Sequence, residues 1–128
     1  MPLTAHTVAS LIAFETSIRQ KWEAGDLPFL LHLCGGNEDQ LLEIFSRVRP
    51  GDWIFSSHRN HYHALLAGIP EETVRSKITD GDSMFMFSRA HNFFSSAILA
   101  GQCGIAAGVA WTIRREFLRT APGPRPGA

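Results

Sequence analysis

Residues 53–66 read W-I-F-S-S-H-R-N-H-Y-H-A-L-L, and the fold turns on how they are read. The apolar run Trp53 to Phe55 predicts a short strand, and Ala64 to Leu66 predicts the apolar side of a helix. Between them lie Ser56, Ser57, His58, Arg59, His61 and His63, so half of the six histidines of the chain fall in one short stretch. Titratable and cationic side chains at the end of a buried element are one way to build an active-site wall. A metal site of His58, His61 and His63 is the first reading to weigh. Their i, i+3, i+5 spacing cannot present three rings on one helical face, which argues against it.

Outward from this stretch, R-P-G-D at Arg49 to Asp52 predicts the turn that launches the strand. Before it, Asn37 is placed to cap a helix through Glu38, Leu41, Leu42, Ile44, Phe45 and Val48. Still earlier, F-L-L-H-L-C-G-G-N-E holds His32 in an apolar run closed by two glycines, whose backbones can approach a neighbour closely. Thr4 to Ala24 reads as a helix from Val8, Leu11, Ile12, Ile18 and Trp22, stopped by Gly25 and Asp26. On the other side, Gly68 breaks the chain and I-P-E-E-T opens a helix to about Thr79, with Pro70 in its first position. Asp80 to Arg89 reads as a loop. Its Asp80-Gly81-Asp82 lacks the further acids and closing glutamate of a calcium site.

Residues 97–113, A-I-L-A-G-Q-C-G-I-A-A-G-V-A-W-T-I, carry no charge. Three glycines and Gln102 make a poor membrane span, so a helix buried on most sides is expected, with Ala100, Gly104 and Gly108 forming one smooth packing face. From Ala121 the chain reads A-P-G-P-R-P-G-A, a flexible tail or linker. Residues 1–120 are therefore expected to form one domain and 121–128 a tail.

Lys plus Arg equals Asp plus Glu at 12 each, which offers no electrostatic footprint for nucleic acid or an anionic membrane. Charged residues are 19% of the chain, below the roughly 25% of a typical domain. With nine Phe and three Trp, this points to apolar surface that needs a partner protein. Cys34 and Cys103 do not form a Cys-x-x-Cys pair and read as thiols in a reducing, cytoplasmic setting. The first residues, M-P-L-T-A-H-T, show no secretory signal pattern. No phosphate loop, nucleophile elbow or dinucleotide fingerprint is present.

Four segments in order resemble the N-terminal part of the alpha subunit of thiamine-diphosphate-dependent 2-oxo-acid dehydrogenases of the pyruvate and branched-chain type. His32-Leu33-Cys34-Gly35-Gly36-Asn37-Glu38 resembles that family's His-Leu-x-x-Gly-Gln-Glu-Ala. Arg49-Pro50-Gly51-Asp52 followed by Phe55 to His61 resembles its Arg-Pro-x-Asp and Tyr-Arg-x-His-Gly. Gly81 to Phe85 resembles Gly-Gly-Ser-Met-His, and Ile98 through Gly108 resembles Ile-Val-Gly-Ala-Gln-x-Pro-Leu-Ala-x-Gly. The resemblance runs from about Leu30 to Arg115.

It implies an N-terminal piece of an α/β thiamine-diphosphate-binding fold, mainly helical with one or two short strands. Arg59, with His58 where the family has tyrosine, would hold the cofactor diphosphate. His32 and His61 would be active-site histidines facing the substrate. Backbone groups at Ala97 and Leu99 would hold the aminopyrimidine ring, with Ala97 standing where the family has glycine. Asp82, Phe85 and Gly104 replace a glycine, a histidine and a proline, which implies a divergent branch whose substrate need not be pyruvate.

The family's magnesium motif, Gly-Asp-Gly followed by asparagines, has no counterpart among the matched residues. The implied activity is therefore part of a decarboxylating 2-oxo-acid dehydrogenase, incompetent alone. It needs a chain with the C-terminal half, a beta-type subunit and a lipoyl protein as acyl acceptor. A piece of a thiamine-dependent carboligase, or a non-catalytic remnant serving as an interaction module, are the other readings left open.

Overall fold

The computed structural model describes residues 6–120. The expected Pro/Gly tail and the expected helix start at Thr4 lie outside the described residues. The first helix, α1, is Val8–Glu23 and is opened by a capping box: Thr7 Oγ1 accepts the Ser10 N–H while Ser10 Oγ accepts the Thr7 N–H. Then come α2 (Glu38–Phe45), β1 (Ile54–Ser56), α3 (His61–Leu66) and α4 (Glu71–Thr79). β2 (Phe87–Ser88), a 3-10 turn at Arg89–His91, β3 (Phe93–Ser95) and α5 (Gly101–Thr120) complete the order.

The helical content matches the expectation, but three strands form where one or two were expected. β2 and β3 arise inside and just after the segment read as a loop, joined by Asn92 in the left-handed conformation at φ 48°. The far end of that loop does read as alternating apolar residues, M-F-M-F, but so short an alternation does not by itself mark a strand. The sheet order is β1-β3-β2, with β3 parallel to β1 and antiparallel to β2. The parallel pair holds the register Ile54 to Phe93 and Ser56 to Ser95. Parallel neighbours need a crossover, and α3 with α4 supplies it.

The core gathers Leu11, Phe14 and Ile18 of α1, Leu41 and Phe45 of α2, Tyr62, Leu65 and Leu66 of α3, Val74 and Ile78 of α4, and Phe93 of β3. This is the 3.6-residue apolar periodicity read from the sequence, closed over one face of a small sheet.

Three local expectations are corrected. Asn37 precedes α2 but makes no capping side-chain bond; Glu38 turns back instead and accepts the Gly36 N–H at 2.9 Å. Pro70 stands one residue before α4 in extended conformation, ψ 137°, not inside its first turn. Ala100 lies ahead of α5 with φ 62°, so it shares no helical face with Gly104 and Gly108.

The larger correction concerns residues 97–113. They were expected to be buried on most sides, yet α5 has no buried residue, and Trp111 and Phe117 are each 68% exposed. The helix leans on β1 across a groove of about 420 Å³ lined by Trp53, Phe55, Ala106, Val109 and Ile113. Absence of charge predicts that a helix will be covered, but these residues offer it little surface to pack against. No helix among the described residues is long and apolar enough to cross a membrane.

Candidate functional site

The chain leaves β1 at Ser56 and leaves β3 at Ser95, side by side and in the same direction, and the Ser96 N–H donates to Ser56 O at 3.2 Å. The segment carrying His58 and Arg59 and the segment carrying Ala97 and Leu99 thus emerge together at the carboxyl end of the parallel pair. Open α/β sheets place ligands outside such strand ends. The peptide groups of Ala97 and Leu99 make no hydrogen bond to another described residue, and the Leu99 side chain is 71% exposed.

The loop before α2 comes to the same place. The Arg59 guanidinium donates to Leu33 O, and the rings of His32 and His58 meet edge to face with centroids 4.7 Å apart. Partial loss of hydration, then the neighbouring His58, Arg59 and His61, hold His32 below the ordinary histidine value. It is therefore a neutral imidazole at pH 7. Of the residues singled out from sequence, His32, His58 and Arg59 form one cluster at the protein surface.

His61 is elsewhere. Its ring is fully buried, with Nδ1 3.1 Å from Glu15 Oε1 and Nε2 3.3 Å from Ser83 Oγ. Both ring nitrogens are engaged inside the fold, because α3 begins at this residue and turns it inward. The Glu15 carboxylate also accepts the Cys34 N–H at 2.7 Å and the Gly35 N–H at 3.3 Å. Gly35 and Gly36 have φ of 25° and 98°, the left-handed region that favours glycine, and this turns successive N–H groups toward Glu15 and Glu38. Burial, followed by the Glu15 charge, pushes the Cys34 thiol up to about 12.

His63 takes a third direction. Its Nδ1 is 3.1 Å from both Ser56 Oγ and Arg59 O. The carbonyl can only accept, so Nδ1 carries the proton and Nε2 does not. Three histidines that look like one cluster in sequence thus occupy three environments. Asn60, not singled out from sequence, is fully buried and donates to Ser83 O at 2.7 Å and Ser95 Oγ at 2.8 Å, tying the start of α3 to β3. Asp82 pairs with Lys77 at 3.1 Å.

Burial lowers the His63 pKa, so the unfolded chain binds its proton more readily than the folded one. Stability is therefore full above the unfolded value near 6.5 and is lost as pH falls below it, by at most about 1.4 kcal/mol per unit for this residue. Urea midpoints at pH 7.5 and 5.5 should show the drop, with His63→Gln reducing its slope. An equally steep slope in the variant would remove His63 as the cause.

Comparison with known proteins finds the chain similar to alpha subunits of pyruvate dehydrogenase and of an acetoin oxidoreductase. The chain is 29% identical over 121 residues to the pyruvate dehydrogenase E1 component subunit alpha of Porphyra purpurea. It is 30% identical over 119 residues to the chloroplastic subunit alpha-3 of Arabidopsis thaliana. Those alignments take in 86% and 84% of this chain but 35% and 28% of the relatives. A shorter match, 31% over 65 residues, is to the alpha subunit of acetoin:2,6-dichlorophenolindophenol oxidoreductase of Cupriavidus necator; it takes in 51% of this chain and 20% of that one. No family model matches the chain, and no solved structure matches it. The chain spans about a third of the length of its pyruvate dehydrogenase relatives.

Proposed function

We propose, for a chain homologous over most of its length to part of the alpha subunit of pyruvate dehydrogenase, that it supplies one wall of a thiamine diphosphate site. The observation that carries this reading is the parallel pair β1–β3, from whose carboxyl ends the segment bearing Arg59 and the 97–99 segment leave side by side. The residues fit the group: a guanidinium fork matches phosphate oxygens, and peptide groups without internal partners can hold a ring edge.

When bound, the cofactor supplies the carbanion and electron-sink chemistry for decarboxylating a 2-oxo acid. Arg59, assisted by His58, neutralises and orients the diphosphate. Ala97 and Leu99 offer backbone groups to the aminopyrimidine. His32, held neutral near pH 7, donates or accepts a proton at the reacting centre. His61 acts from within the fold, fixing the segment that bears Arg59 through Glu15 and Ser83. Ligands for magnesium would come from a partner chain carrying the rest of the fold.

The exposed length of α5, with Ile105, Ile113 and Phe117, is the surface proposed for that partner and for a beta-type subunit. A lipoyl protein would then accept the acyl group. The proposal places the chain in a reducing, cytoplasmic setting. Titration calorimetry tests this with the chain mixed with the product of the adjacent reading frame, the candidate for the missing half. Magnesium-dependent binding of thiamine diphosphate is expected; its absence from the mixture defeats the proposal.

A further inference from the structure

Glu15 and His61, given a positioning role above, form with the half-buried Cys34 a cluster whose ligating chemistry that reading leaves unused. Glu15 of α1, Cys34 of the glycine loop and His61 of α3 each offer a ligand atom, and the three atoms lie within 4.8 Å of one another. They come from three separate segments that the backbone already locks together, since the Glu15 carboxylate accepts the N–H groups of Cys34 and Gly35. We propose that Glu15, Cys34 and His61 bind a divalent zinc-type metal ion that clips α1, the glycine loop and α3 together. The proposal does not depend on thiamine diphosphate binding.

The donor set has the right chemistry. Sulfur, imidazole nitrogen and carboxylate oxygen are the three zinc ligand types, and three protein ligands with one open position is a recurring zinc arrangement. Metal–ligand bonds of roughly 2.0–2.3 Å put donors of a tetrahedral centre about 3–4 Å apart, so the cluster needs to close by only about 1 Å. Charge also balances. A thiolate, a carboxylate and a neutral imidazole cancel a 2+ ion, which suits a site where net charge is costly.

The surroundings suit the same assignment. His61 Nε2 has Ser83 Oγ at 3.3 Å. With an ion bound, the proton of a neutral ring sits on Nε2 and donates to Ser83, so that Nδ1, which donates to Glu15 in the ion-free fold, becomes the ligating atom. The exposed turn at Gly35 and Gly36 gives an ion a way in. On binding, the Cys34 S–H bond breaks and its proton leaves to solvent, the sulfur lone pair forms the metal bond, and no electron is transferred.

The experiment uses the full chain carrying Cys103→Ser, because Cys103 is exposed and could bind metal adventitiously. Cobalt(II) alone is the probe. A sulfur-to-cobalt charge-transfer band is expected that saturates at a single equivalent, is bleached by zinc(II), and is lost in Cys34→Ser. Affinity should fall about tenfold or more in Glu15→Gln, with the circular dichroism spectrum unchanged. No charge-transfer band, or a band that survives Cys34→Ser, overturns the site. Should Cys34→Ser fail to fold, zinc calorimetry on the Cys103→Ser protein in two buffers of different ionisation enthalpy decides. Release of about one proton per ion supports a thiolate ligand, and release of none refutes it.

Discussion

Glu15→Ala is expected to lower unfolding stability by about 3–5 kcal/mol, the summed cost of leaving buried hydrogen-bond donors without their acceptor. The carboxylate is 4% exposed and accepts from the Cys34 N–H, the Gly35 N–H and the His61 ring. Alanine would leave the Cys34 N–H and an imidazole nitrogen inside the fold with no acceptor, and each orphan costs its own desolvation. In a domain of this size the melting temperature should fall by on the order of 10–20 °C. Glu15→Gln, which keeps one acceptor oxygen, should lose about 1–3 kcal/mol. Thermal and urea unfolding of the two variants measure this. A change below 1 kcal/mol in Glu15→Ala would mean that water takes over the carboxylate's bonds and that the cluster is not a structural anchor.

Arg59→Ala should have the opposite profile. The guanidinium is on the surface and its one hydrogen bond among the described residues goes to Leu33 O, so the fold should lose less than about 1 kcal/mol. Thiamine diphosphate affinity in the reconstituted mixture should fall by about 10- to 150-fold, corresponding to the roughly 1.5–3 kcal/mol of a charge-assisted hydrogen bond. Arg59→Lys should restore only part of this, since an ammonium cannot make the two-pronged contact with phosphate. Binding calorimetry beside circular dichroism reads both sides of the prediction. Unchanged affinity in Arg59→Ala would place the diphosphate elsewhere.

Part of the site could be read from residue types and order. His32 ahead of two glycines and His58-Arg59 after an apolar run mark two segments that the fold does bring into contact. Glu15 was missed, although a signal for it exists. It sits in phase with Leu11 and Ile18 on the apolar side of α1, and an acid on such a face needs an interior partner. Asn60 and Ser83 left no such mark. Their burial follows from where β3 and the preceding loop happen to pass, and nothing in the local sequence encodes that.

The sequence by itself determined the presence and order of the main helices, the apolar stripe of the core and the similarity to dehydrogenase alpha subunits. All of these are written in spacing and residue order along the chain. Only the tertiary structure decided which histidine faces where. His58, His61 and His63 are neighbours in sequence, yet a loop ends and a helix begins between them, so their rings diverge to His32, to Glu15 and to Ser56. The tertiary structure also decided that α5 is uncovered. Apolar composition records that a surface tends to be buried, whereas covering it requires a second surface, and the described residues present little of one.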